Sequence, residues 1–125
     1  MRQGCRLDSL DREFSVFIRS RDNWTCQRCG RDFWNSRDYL HTSHFVGRAN
    51  KATRFDPDNC DALCWECHEE FHAHPEAHKA WKLFRLGPER FEALQVRKRQ
   101  VVKVDAEAIR AMMHLAKRRS CEDAA

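Results

Sequence analysis

Hydrophobic positions recur at helical intervals near the start of the chain. Leu7, Leu10, Phe14, Phe17 and Ile18 share one face of a 3.6-residue repeat, with charged residues between them. The pattern predicts an amphipathic helix over residues 7–21, capped by Asp8 and broken by Asp22-Asn23. The texture then changes. The run YLHTSHF, Tyr39 to Phe45, alternates partially and predicts a strand. Gly47 to Asn59 is polar and turn-rich and predicts a loop, and Asp61 to Leu63 predicts a short returning strand. A helix should begin at the second cysteine pair and end near His74, because Pro75 stops it and opens the next. That next helix, Pro75 to Leu86, should close at Gly87, and Pro88 should open another with Phe91 and Leu94 one turn apart. Asp105 should cap a last helix, with Ile109, Met112, Met113 and Ala116 on one broad face.

The chain has 125 residues, 42% hydrophobic and 34% charged, which predicts one domain with a modest core. A chain of this size buries only about two-thirds of the surface its unfolded form exposes, so a structural metal would help it fold. The first residues, MRQGCRLDSLDREF, are charged throughout and do not resemble a signal peptide. No run is long enough to span a membrane. A cytoplasmic protein is expected.

Cysteine spacing brings in metal chemistry. Four of the seven cysteines form two C-x-x-C pairs, Cys26/Cys29 and Cys64/Cys67, leaving Cys5, Cys60 and Cys121 as ordinary thiols. An odd count in a reducing compartment argues against a disulfide framework. Two separated pairs can grip one tetrahedral Zn²⁺. A redox reading would need a pair at a strand-to-helix junction of a βαβ unit, and no such pattern exists. Trp24, Trp34 and Trp65 flank the pairs and are expected to pack around the zinc.

Charge is uneven. The net charge is +4, but acidic residues outnumber lysines and arginines nine to six from Cys26 to His78, and from Arg97 to Arg119 eight basic residues face two acidic ones. A basic arm on a slightly acidic body suits a polyanion such as nucleic acid, although a solvated helix face would look the same.

The segment CWECHEEFH, Cys64 to His72, carries two overlapping patterns. HEEFH fits the H-E-x-x-H of zinc peptidases, with His74 or His78 as a third ligand. That reading leaves the adjacent cysteine pair unexplained and too few downstream residues for a peptide cleft. The pieces CQRC, SHF, DNC and LCWECH, read together, resemble the layout of HNH endonucleases. In that layout a C-x-x-C is followed by a strand ending in histidine, a loop, an asparagine, and then L-C-x-x-C-H. The run LHTSHFVGRANKATRFDPDNCDALCWECHEEF, followed by FRLGPERFEAL, is similar to phage HNH proteins related to the NinG recombination family, from about Leu7 to Arg99.

The resemblance implies an α+β fold: a small ββα-metal, treble-clef-like core over 26–78, stabilised by zinc on Cys26, Cys29, Cys64 and Cys67. An N-terminal helix and a helical C-terminal extension over 79–125 would flank it. It further implies a metal-dependent DNA endonuclease of phage recombination or DNA processing, working in the bacterial host cytoplasm. His44 would be the general base, suited by an imidazole pKa near neutrality. Asn59 would orient that histidine or steady the loop, and His68 would bind a catalytic divalent cation. Mg²⁺ or Mn²⁺ is expected there, with Zn²⁺ or Ni²⁺ also congenial to a histidine.

One position departs from the pattern. Many HNH enzymes place a metal-binding aspartate directly before the base histidine, where this chain has Ser43. His72, one helical turn beyond His68, and His41, on the same strand face as Ser43, are the candidates to complete the shell. Arg48, Lys51 and Arg54 in the loop and Arg97, Lys98, Arg99 and Lys103 in the arm are the expected DNA contacts. Cutting both strands from one small active site would take a homodimer or two visits. The competing reading is a zinc-stabilised DNA-binding protein without catalysis.

Overall fold

The computed structural model describes residues 2–124, with side chains described over 7–121. Helix α1 (Arg2–Arg21) is followed by strands β1 (Leu40–His44) and β2 (Cys60–Cys64). Four helices complete the chain: α2 (Trp65–Ala73), α3 (Pro75–Leu86), α4 (Pro88–Lys98) and α5 (Ala106–Ala124). The sheet of this small α+β fold is one antiparallel hairpin, with Leu40 opposite Cys64 and His44 opposite Cys60. Among the described residues no helix is long and apolar enough to cross a membrane.

Helix α1 begins earlier than its sequence cap suggests. Asp8 lies inside it, because the arginines and glutamine before it are good helix formers that continue the turn. Its apolar stripe, Leu10, Phe14, Phe17 and Ile18, packs with Phe55, Cys60 and Met113 into one core. Ile109, Met112 and Ala116 of α5 lie against the same cluster. The C-terminal helix therefore folds back onto α1, and Arg110 pairs with Glu13 at 2.8 Å across the seam. Asp105 caps α5, its Oδ1 accepting the Ala108 N–H at 3.1 Å.

The chain leaves α1 through two left-handed residues, Asn23 (φ 57°) and Trp24 (φ 54°). Asparagine tolerates this region; tryptophan there costs on the order of 1 kcal/mol. The conformation is held by the Trp24 N–H donating to Arg19 O and the Phe33 N–H donating to Trp24 O, both at 2.8 Å. It turns the indole into the second core, with Cys26, Leu40, Ala62, Leu63, Cys64, Cys67 and Phe71. Trp34 and Trp65, expected in the same place, are instead 54% and 58% exposed. The Trp34 ring takes the Arg37 guanidinium at 4.5 Å, and Trp65 starts α2 on its solvent side.

A buried ionic cluster joins α1, β2 and α3. Lys82 Nζ donates to Asp61 Oδ2 at 2.6 Å with both side chains almost fully buried, and Arg85 pairs with the other Asp61 oxygen. Asp22, at the end of α1, accepts the Ala62 N–H at 2.9 Å and pairs with Arg21. Helix α3 is thus held to the hairpin and the end of α1 through Lys82 and Arg85. Gly87, at φ 83°, makes the turn between α3 and α4 in a region that favours glycine.

Candidate functional site

The two cysteine pairs meet although 34 residues separate them in sequence. Cys26 and Cys29 sit on a turn closed by the Gly30 N–H donating to Cys26 O at 2.9 Å, with Gly30 at φ 80°. Cys64 ends β2 and caps α2, its Sγ accepting the Cys67 N–H at 3.5 Å. The turn is stitched to the hairpin where the Gln27 N–H donates to Ala62 O at 2.9 Å. All four sulfurs then lie within 4.8 Å of one another, and Cys29 and Cys64 Sγ are 3.8 Å apart. Tetrahedral zinc with Zn–S bonds of about 2.3 Å would set its sulfurs about 3.8 Å apart, so the four cysteines could hold a structural zinc.

Arginines compensate the sulfur charge. Arg31 donates to Cys64 Sγ at 3.1 Å and Cys29 Sγ at 3.4 Å, and is itself held by Glu66. Burial raises the Cys29 thiol, but hydrogen bonds from the Arg31 side chain and backbone and from Cys26 and Cys64 together outweigh it and bring the group down to about 6, which favours the metal-binding thiolate. Arg28 lies over the Phe71 ring at 4.5 Å and forks onto Glu70 at 2.6 and 3.3 Å. Glu69 remains exposed. Of the other cysteines, Cys60 is buried in the α1 core and Cys121 is exposed; the side chain of Cys5 lies outside the described residues.

His44 ends β1 on the α1 face of the hairpin, its ring 6.4 Å from that of Phe14. Its Nε2 is 3.0 Å from Arg54 O. A carbonyl only accepts, so Nε2 carries the proton and the lone pair of the neutral ring resides on Nδ1. Burial lowers its pKa to about 4, so the ring is neutral at pH 7. The cleft beside it, of about 330 Å³, is lined by Asp8, Asp11, Arg12, Phe14, Ser15, Thr42 and Arg48.

Asn59, fully buried, contributes at a distance. Its Oδ1 accepts the Val46 N–H at 2.7 Å, and its Nδ2 donates to Val46 O at 2.9 Å and Thr53 O at 3.1 Å. It therefore fixes both ends of the loop whose next residue, Arg54, offers the carbonyl to His44. Asp11 of α1 holds the same loop from outside. Its carboxylate takes Arg54 Nε at 3.1 Å and Arg48 Nη2 at 2.9 Å. Burial raises the Asp11 carboxyl, and Arg54 and Arg48 together overcome this and keep it below the usual range.

His68 faces the other side of the hairpin. There β1 presents His41 and Ser43 opposite Leu63 and Asp61, and the Nδ1 atoms of His41 and His68 are 3.3 Å apart. Burial, followed by the nearby His41, lowers the pKa of His68. His72 is exposed one turn further on. His78 is stacked on Phe71, with centroids 4.5 Å apart and planes 3° from parallel, so its ring belongs to an aromatic cluster.

The expected DNA contacts divide into those in ion pairs and those without one among the described residues. Arg48 and Arg54 are on Asp11, and Arg97 is on Asp56 at 2.6 Å and Asp58 at 3.5 Å. Lys51, Lys98, Arg99 and Lys103 are exposed. Sequence reasoning missed Asp11, which no local pattern marks. It also missed Arg28 and Arg31, although their places inside and just after CQRC are a signal for thiolate partners. Neither curated proteins nor solved structures gave a match to the chain. A family model described as NinG, bacteriophage lambda NinG protein, matches residues 5–124. Because that match takes in both cysteine pairs, His44, Asn59 and His68 and nearly all the rest, the chain belongs to the NinG family.

Proposed function

We propose that this protein is a metal-dependent DNA endonuclease of the HNH class, its hairpin and α2 forming a ββα-metal core, and that it acts on structured DNA during phage recombination. The observation that carries the reading is the Nε2 contact of His44 with Arg54 O. It leaves a neutral ring with a free nitrogen lone pair beside a cleft whose charged lining is Arg12, Arg48, Asp8 and Asp11. In the reaction His44 Nδ1 takes a proton from water, and the oxygen attacks phosphorus. The P–O3′ bond breaks, leaving a 5′-phosphate, and the 3′-oxygen is protonated from solvent. A divalent cation, when bound, would supply positive charge at the phosphate and the leaving oxygen; His68 is of the right residue type to hold it but lies on the other face of the hairpin, outside the lining of the His44 cleft. Asn59 and Asp11 keep the loop carbonyl in place, and Arg48 lies at the cleft where a phosphate would displace Asp11.

The competing reading, a binding protein without catalysis, draws on Ser43 standing where a metal-binding aspartate is usual. Incubation with supercoiled plasmid and with a four-way junction separates the two. The nuclease gives nicked or linear products with Mn²⁺ or Mg²⁺ and none with EDTA. His44→Ala should slow cleavage by about 10²-fold or more, a typical loss for a general base, with zinc content and DNA affinity retained. Cleavage by that variant at the wild-type rate would remove His44 from the chemistry. Salt-sensitive DNA binding with no cleavage under any ion would favour the binding protein.

A further inference from the structure

We propose that His41 and His68 together form a two-imidazole site for a transition-metal ion of the Zn²⁺, Ni²⁺, Co²⁺ or Mn²⁺ class, with His41 as the ligand that strand β1 supplies. The Nδ1 atoms converge to 3.3 Å from opposite elements. Two nitrogens bound to one tetrahedral ion at about 2.0–2.1 Å lie about 3.4 Å apart, so the pair already has the bite such an ion needs. The rings stand at 84° to one another with centroids 5.5 Å apart.

Other donors on this face are accounted for. Ser43 lies two residues along the same strand face, opposite Asp61 in the register. Asp61 could have replaced the absent aspartate from the neighbouring strand, but Lys82 and Arg85 occupy both of its oxygens. That leaves His41 as the strand's donor. His72, exposed one turn after His68 on α2, is placed to approach from the solvent side. Remaining positions would go to water or a phosphate oxygen. The ligand types set the ion: two imidazoles suit borderline transition ions, whereas Mg²⁺ keeps an oxygen shell.

The site deepens the nuclease reading and rests on it for its role, but its occupancy can be measured without DNA. Zinc-loaded protein, carrying one tightly held ion per chain, is titrated with Co²⁺ and Ni²⁺ by calorimetry and by the visible d–d band of cobalt. One further ion should bind without displacing the zinc. His41→Ala and His68→Ala should each weaken it by more than about tenfold, the loss that even a supporting hydrogen bond costs a metal site. His41→Gln serves where the alanine variant folds poorly, and zinc content and thermal midpoint verify the fold. Wild-type protein that takes up no second ion, or a His41 variant that binds it as tightly as wild type, overturns the proposal. A second ion lost in both variants, in a protein that cleaves no DNA, upholds the site and removes the nuclease. Cleavage that persists in His41→Gln while that variant binds the second ion as tightly as wild type upholds the nuclease and removes the site.

Discussion

Asn59 and His44 never touch, yet both serve one loop carbonyl. Asn59 spends its side chain on Val46 and Thr53, and the Arg54 carbonyl that follows holds the His44 ring. Asn59→Ala leaves the part-buried Val46 N–H and carbonyl and the buried Thr53 carbonyl without their partner. At about 1–3 kcal/mol for each unpaired buried group, partly relaxed by loop movement, a loss of about 2–4 kcal/mol is expected in urea denaturation. A loss under about 0.5 kcal/mol would show that the loop stands without it. At this scale the sequence is informative about residue type and silent about opposition. His44 and Asn59 are legible because the loop between them has a recognisable length and chemistry. Asp11 is not, because it reaches Arg54 from a helix 43 residues away, where it looks like any exposed acid on an amphipathic surface. Ser43 and His41 form the same kind of case. The alternation of a strand places them on one face, but only the pairing with α2 brings His68 to His41.

Elements were legible where hydrophobic period and backbone chemistry agree. Pro75, Gly87 and Pro88 punctuate α3 and α4 where the structure does, since a proline lacks the N–H that a helix interior needs and a glycine takes φ 83° without strain. The start of α1 was not legible, because an acid after a charged segment reads as a cap whether or not the helix has already begun. Packing between elements escapes the period altogether, and His78 is the example with a measurable consequence. It lies in α3, stacked on Phe71 of α2 and edge-on to Phe45 at 5.0 Å. Burial lowers its pKa from 6.5 to about 4. Between those values the unfolded chain binds a proton that the folded chain does not. The contribution of this neutral ring is therefore complete above about pH 6.5 and is lost as pH falls toward 4. Replacing it by phenylalanine keeps the stack and removes the titration. Between pH 7 and pH 5, His78→Phe should lose less of its thermal midpoint than the wild type does. Equal losses in the two proteins would mean that the ring is protonated where it stands.

For the whole molecule, two small cores share one two-stranded hairpin, and the four cysteines that could hold a zinc lie in the second of them. One core is made by α1 and α5 around Cys60; the other gathers Trp24, Leu40 and Phe71 around the cysteines. The first rests on the α1–α5 helix pair, and the second on the hairpin and α2. The joints between them are the Asp61–Lys82 pair and the Asp22 contact with Ala62, which are buried and polar. Buried ion pairs of this kind contribute more to defining an arrangement than to net stability, since desolvation offsets most of their attraction. Four thiolates on one zinc act differently. Structural sites of this type contribute on the order of 10 kcal/mol to folding, as much as a small domain's entire stability. Removing zinc with a chelator in mild urea should therefore unfold the second core first. Trp24, 7% exposed, is its reporter, and its fluorescence should shift to the red and return when zinc is added back. Cys64→Ser should show the shifted state without chelator, because that sulfur also caps α2 and receives Arg31. If chelated protein keeps the urea midpoint of the untreated sample, the cysteines are a packed cluster with no folding role for a metal. The hairpin that positions both His44 and the His41–His68 pair would then have to be held by its own contacts alone.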